Sequence, residues 1–248
     1  MRHIKSILKQ VLPDRWLNLL RRIRNERFDV YAFKSYSQEG EDMILRHVFE
    51  GQWQGFYVDV GAHHPRRYSN TFFFYKLGWR GINIDAMPGS MNLFTRFRPR
   101  DINLECGVGP YSQEAAYYMF NDPALNSFDE VISRKRDTGP YHIIEIRWVH
   151  IRPLGDILLE CLPNSQQIDF ITIDVEGKDL EVLQSNNWQR FRPKCVLIEC
   201  LELSPEEINA HPVNVFLSSV GYQLLAKTMN NAIYRDINFR LPLPLGTE

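Results

Sequence analysis

Three short apolar runs in the chain stop on an aspartate: Phe56-Tyr-Val-Asp59-Val-Gly61, Gly81-Ile-Asn-Ile-Asp85 and Phe170-Ile-Thr-Ile-Asp174-Val-Glu-Gly177. An apolar run bounded by turn signals reads as a buried strand. Buried strands that deliver carboxylates at their C-terminal ends are how open parallel sheets build ligand sites. Three such ends imply one acidic crevice. Its chemistry would be cation binding, acceptance of hydroxyl hydrogens, proton abstraction, or ligation of a hard metal ion. The candidate bases are Asp174 and Glu176, Glu199 at the end of the run Lys194–Cys200, and His63 and His64 on the turn after the first strand. Asp174 and Glu176 are two residues apart and would share one face of a continuing strand. Carboxylates this close raise one another's pKa, which suits a base. The same oxygens could hold a divalent cation, with His as a borderline ligand. Both readings stand at this level, and no metal ligand set is assigned.

Gly61 directly follows the first strand, where the lack of a Cβ lets backbone approach a ligand, and Asp85 closes the next strand 24 residues further on. A carboxylate there can accept both hydroxyls of an adenosine ribose. That much fits nicotinamide dinucleotides and S-adenosylmethionine equally. A dinucleotide site also needs G-x-G-x-x-G to seat its pyrophosphate at a helix N-terminus. Here Gly61 is followed by Ala62, His63, His64 and Pro65. Asp59 would repel a pyrophosphate and attract a sulfonium that bears an ammonium group. The residues favour S-adenosylmethionine. The rivals are an NAD(P)-dependent oxidoreductase and a non-catalytic partner subunit that keeps the cofactor fold.

The elements that must position these residues follow from pattern and length. A chain of 248 residues with 44% apolar content can bury one large α/β domain, with or without an appendage. A net charge of −1 gives no electrostatic basis for nucleic-acid binding, and none is expected. Cys106, Cys161, Cys195 and Cys200 form no C-x-x-C pair and read as reduced, buried thiols. No apolar stretch approaches the ~20 residues of a membrane span, and no signal-peptide pattern is present, so a cytoplasmic location is expected. Residues 1-34 form a basic extension, with apolar residues at helical spacing (Ile4, Ile7, Leu8, Val11, Leu12, then Trp16, Leu19, Leu20, Ile23) and a break at Pro13. Such helices could dock on the domain, on a second copy in a homodimer, or on a membrane surface through residues 1-30. Residues 35-240 alternate helix and strand, which predicts a doubly wound parallel sheet. A closing hairpin with its turn at Asn230-Asn231 makes one strand antiparallel. Residues 121 to 140 read as an irregular, mobile excursion, Pro205 as the start of a helix, Glu202 as a solvated loop residue, and 241-248 as a loose tail.

From about Tyr36 to Asp236 the chain resembles the FkbM-type methyltransferases. The resemblance is carried by Tyr36-Ser-Gln-Glu-Gly-Glu-Asp42, Val58-Asp-Val-Gly-Ala-His-His-Pro65, Ser69-Asn-Thr71, Gly78-Trp-Arg-Gly-Ile-Asn-Ile-Asp85, Asp174-Val-Glu-Gly177 and Arg192-Pro193. It implies the class I methyltransferase (Rossmann-like) α/β fold, a seven-stranded sheet with an antiparallel last strand, and S-adenosylmethionine as methyl donor. The acceptor it implies is a hydroxyl of a small molecule or glycan. By position, Asp59, Gly61 and Ala62 would line the methionine end, Asp85 would take the ribose, and Glu105, Cys106 and Gly107 would lie near the adenine. Asp174 would face the cofactor amine or the methyl-transfer centre, and Ser37 and Gln38 would come over the cofactor. Ala86 stands where some class I enzymes carry a second carboxylate. The excursion with Asn126, Ser127 and Arg134-Lys-Arg136 is the expected acceptor-recognition segment.

Overall fold

The apolar runs become the middle of a sheet in the computed structural model, which describes residues 13–27, 32–201 and 207–241. The chain divides into two compact units, Met1–Lys34 and Ser35–Glu248. In the first lies helix α1 (Asp14–Arg27), which carries Trp16, Leu19, Leu20 and Ile23. Ile4, Ile7, Leu8, Val11 and Leu12 lie outside the described residues, as do Glu202, Pro205 and the tail from residue 242.

The second unit runs α2 (Glu41–Val48), β1 (Phe56–Val60), α3 (Phe72–Leu77), β2 (Arg80–Asp85), α4 (Met91–Phe97), β3 (Ile102–Glu105), β4 (Gly107–Val108) and β5 (Gln113–Phe120). It continues with α5 (Glu130–Arg136), β6 (Ile143–Arg152), α6 (Leu154–Cys161), β7 (Phe170–Ile173), α7 (Asp179–Gln184), β8 (Cys195–Glu199), α8 (Pro212–Ser219), β9 (Tyr222–Lys227) and β10 (Asn231–Asp236). Seven strands form one sheet in the order β3-β2-β1-β7-β8-β10-β9. β10 runs antiparallel to both its neighbours, and the remaining pairings are parallel. The order reverses beside β1, which is where open α/β sheets leave a crevice outside their strand ends.

Both faces of the sheet are covered, so its central strands are apolar throughout rather than alternating. Val58 and Val60 pack with Leu154, Ile157, Leu183 and Phe191 on one face. Tyr57 packs with Leu45, Phe74, Trp79 and Phe170 on the other. Register brings the aspartates level: Val60 pairs with Ile84 and with Ile173, so the residues that follow each strand emerge at the same edge.

Sequence and structure part at three places. First, β5 and β6 leave the main sheet and form a second, three-stranded one in the order β4-β6-β5. Their alternation was visible, but periodicity does not say which sheet a strand joins. Second, residues 121 to 140 are not irregular: Pro123–Leu125 forms a 3₁₀ turn, and α5 starts at Asp129, whose carboxylate accepts from Ile132 N at 2.9 Å. Third, the closing turn is Thr228–Asn231, in which Thr228 N donates to Asn231 O at 2.8 Å, so Asn231 already belongs to β10.

A charged network lies under the crevice. Arg98 and Asp101 are fully buried and paired at 2.8 Å. Arg98 also donates to Tyr57 Oη (2.7 Å) and Thr71 Oγ1 (2.9 Å), while Asp101 accepts from Tyr57 Oη, Gly81 N and Asn83 Nδ2. Thr71 in turn donates to Asp59 at 2.6 Å. Because Arg98 and Asp101 are each other's buried counter-charge, removal of either leaves the other uncompensated. Arg98→Ala is expected to lower unfolding free energy by about 3–5 kcal/mol, measured by urea denaturation; a loss below ~1 kcal/mol would show that Asp101 finds water or another partner.

Candidate active site

The ends of β1, β2 and β7 wall a cleft of about 1120 Å³ including its open mouth. It is lined by Asp59, Gly61, Ala62, His63, Asp85, Cys106, Gly107, Asp174 and Glu176 among the residues expected from sequence. Gln38 lines it as well. Ser37, His64, Glu105 and Glu199 are not in its wall, and each is bound elsewhere or set behind it.

Gly61 explains how the strand ends come so close. Its φ is +81°, and a Cβ there would lie 1.7 Å from the Asp174 carbonyl oxygen. The glycine therefore serves backbone against backbone, β1 end against β7 end, and fixes where Asp174 emerges. Asp174 N donates to Val60 O at 3.0 Å across the same junction. Gly61 N and Ala62 N both bond Ile84 O, which ties the turn to β2 as well.

Asp85 is buried and both its oxygens are oriented: one accepts from His63 N and the other from Met87 N, each at 2.8 Å. Burial raises its pKa, and these backbone donors pull it back. His63 supplies that N–H from a left-handed backbone, φ +50°. His64 closes the turn. Its Nδ1 accepts from Arg66 N and Arg67 N at 3.0 Å, which fixes the neutral tautomer, and burial with nearby His63 and arginines lowers its pKa. With Nδ1 engaged, the His64 ring has no free lone pair for a substrate proton. Asp59 lies beneath, its pKa raised to about 6 by burial against the pull of Arg98 and Thr71.

At the ends of β7 and β8 one oxygen each of Asp174, Glu176 and Glu199 lies within 4.8 Å of the others. Burial first, and then the neighbouring acids, hold Asp174 well above the ordinary carboxylate range and push Glu199 up to about 10. Glu176 is drawn aside by Arg136 at 2.7 Å. That arginine comes from α5, so the excursion is anchored on the cleft: Ser127 Oγ donates to Glu176 O at 2.8 Å, and Ile132 packs where a Gly177 Cβ would stand. Glu176 holds φ +55°, a left-handed backbone that costs roughly 1–3 kcal/mol and persists where surrounding contacts enforce it.

Ser37 Oγ donates to Asp42 at 2.9 Å, and Asp42 also accepts from Ser35 Oγ and Tyr36 N. The Ser37 hydroxyl is thus engaged by its own segment's acid, while Gln38 beside it lines the cleft. Glu105 accepts from Gly89 N at 2.8 Å. Thr71 gives its hydroxyl to Asp59, so the α3 cap is Ser69, whose Oγ accepts from Phe72 N.

Sequence reasoning did not assign Glu41, Asn70, Tyr117, Asn126 and Lys178 a cofactor or catalytic role, yet all line the cleft. Glu41 is fully buried and accepts from Asn231 Nδ2 at 2.6 Å. A charged pair inside Ser37-Gln-Glu-Gly-Glu-Asp42, opening a helix, was the available signal. Nothing in the sequence placed it against β10.

This sheet order, with its antiparallel strand second from the edge, is the class I methyltransferase fold, and acids stand at its β1, β2 and β7 ends. The methyltransferase FkbM domain matches residues 59–224, and the chain belongs to that family. Similar solved structures include a TehB-like S-adenosylmethionine-dependent methyltransferase from Corynebacterium glutamicum, at 9% identity and TM-score 0.39, covering 90% of this chain and 97% of that one. Another is the glycopeptide N-methyltransferase MtfA complexed with S-adenosylmethionine, at 10% identity and TM-score 0.38, covering 84% and 97%. No curated protein matches the chain. Among the described residues no helix is long and apolar enough to cross a membrane.

Proposed function

We propose that the enzyme transfers the methyl group to a hydroxyl oxygen of a sugar, glycan or secondary metabolite. The observation that carries this reading is the Asp174–Glu176–Glu199 cluster at the cleft. An alcohol is a poor nucleophile at neutral pH and needs a base at the moment of in-line displacement. Asp174 is the proposed base. It lines the cleft, its proton affinity is raised by burial and by Glu176, and Glu176 is already held by Arg136. Glu199, its pKa pushed up to about 10 by burial and the neighbouring acids, keeps its proton at neutral pH and so does not compete with Asp174 as the base. The cofactor places the electrophilic methyl carbon. Asp59 and Asp174 give its cationic end a negative surround, and the fixed oxygens of Asp85 suit its ribose hydroxyls.

The three carboxylate oxygens also form a hard donor set that fits a divalent cation such as Mg²⁺. Asp174, Glu176 and Glu199 would hold it, and it would acidify the acceptor hydroxyl.

Asp85→Ala is expected to weaken S-adenosylhomocysteine binding by about 10- to 100-fold, from the loss of charge-assisted hydrogen bonds, as read by calorimetry. Unchanged affinity would remove the ribose role. For the transfer itself, deuteromethyl donor is offered to a panel of polyhydroxyl acceptors and the label located by mass spectrometry. Label on oxygen is expected, and Asp174→Asn should reduce turnover at saturating S-adenosylmethionine by about 100-fold or more. Label on nitrogen or carbon would refute the hydroxyl assignment. Turnover that survives Asp174→Asn but collapses on chelator dialysis would move proton removal to a metal-bound hydroxyl.

A further inference from the structure

β6 is the centre of the small sheet only in name. β5 pairs with it from Gln113↔Ile151 to Phe120↔Ile143, but β4 covers its other side only at Ile151 and Arg152. Among the described residues, no strand lines that second edge from Ile143 to His150. The open stretch reads Ile143-Ile-Glu-Ile-Arg-Trp-Val-His150, and Ile144, Ile146 and Trp148 are 59%, 46% and 73% exposed. Natural edges are guarded by lysine, proline or shortness, since an open ladder recruits another strand. This edge is long and holds neither lysine nor proline, and its charges Glu145 and Arg147 are of opposite sign, so they do not repel a second copy. A long open edge with Ile144, Ile146 and Trp148 exposed beside it marks a pairing surface.

The sequence of the edge names its partner. Glu145 and Arg147 flank Ile146 and pair with each other within the chain at 2.6 Å. Laid antiparallel on a second copy about Ile146, the strand sets Glu145 opposite Arg147, Ile144 opposite Trp148, and Ile146 opposite itself. Both charge pairs are then attractive and the apolar residues meet across the strands. Centring on Glu145 or on Arg147 would put like charges opposite each other, and centring on Ile144 or Trp148 would leave both without an opposite charge, so pairing about Ile146 is the register that charge favours. Such self-complementarity about a point is what a twofold axis requires. We infer that the protein is a homodimer in which β6 pairs antiparallel with β6 of a second copy, centred on Ile146, joining the two small sheets into one. The strands it joins carry the segment with Ser127 and Arg136, so dimerisation would brace the acceptor side of both clefts.

Sedimentation equilibrium of the full chain tests this. Wild type is expected at twice the 29.2 kDa monomer mass. Ile146→Lys, which sets two lysines face to face on an already exposed position, should give a folded monomer, with far-UV circular dichroism unchanged. Glu145→Arg alone should weaken the dimer at least tenfold, and Glu145→Arg combined with Arg147→Glu should restore it. A monomeric wild type, a dimer indifferent to Ile146→Lys, or a double reversal that fails to restore pairing would overturn the inference. If Ile146→Lys does not fold, the single and double charge reversals decide alone.

Discussion

Desolvation of carboxylates at the strand ends is the constraint on which this molecule depends. Asp59, Asp85, Asp174, Asp179 and Glu199 all hold protons more tightly than in water, and burial is the first cause for each. A stable fold would ordinarily disperse such acids or pair each with a cation. Here Arg98 sits below Asp59, and Arg136 reaches Glu176 from outside. The backbone supplies much of the remaining compensation: N–H groups of His63, Met87, Val175 and Gly177 point at Asp85 and Asp179. The negative field left over is what a sulfonium donor would meet.

The geometry that concentrates this field is set by close backbone approach. Gly61 lets the β1 end touch the β7 end, the Asp85 bond to His63 ties β2 to the same turn, and Ser127 locks the excursion onto Glu176. Function and stability therefore pull against each other at the same few residues, a familiar property of sites that keep titratable groups poised.

The sheet was legible in the sequence because its central strands are buried on both faces and so appear as uninterrupted apolar runs closed by turns. Asp59, Asp85 and Asp174 were legible for the same reason, since a charge that ends such a run must emerge at the sheet edge. What stayed hidden was long-range. The Thr71 hydroxyl goes to Asp59, a residue in a different element, which no local pattern around α3 discloses. His64 looked chemical because histidine often is, whereas its ring nitrogen closes its own turn. The Arg98 network joins residues from four segments, and α5 was masked by its basic residues and the prolines and glycines around it.

The acid cluster has a consequence for pH that can be followed at one atom. Glu199 keeps its proton in the folded chain up to about 10, while the unfolded chain releases it near 4.5. Its contribution therefore lowers stability as pH rises through that window. The direct measurement is a carbon-13 chemical-shift titration of the Glu199 carboxyl in the free enzyme, with Glu199→Gln to assign the signal. A midpoint several units above 4.5 is the predicted result; a midpoint in the ordinary carboxylate range would contradict the desolvated acid cluster and the role of Asp174 that rests on it.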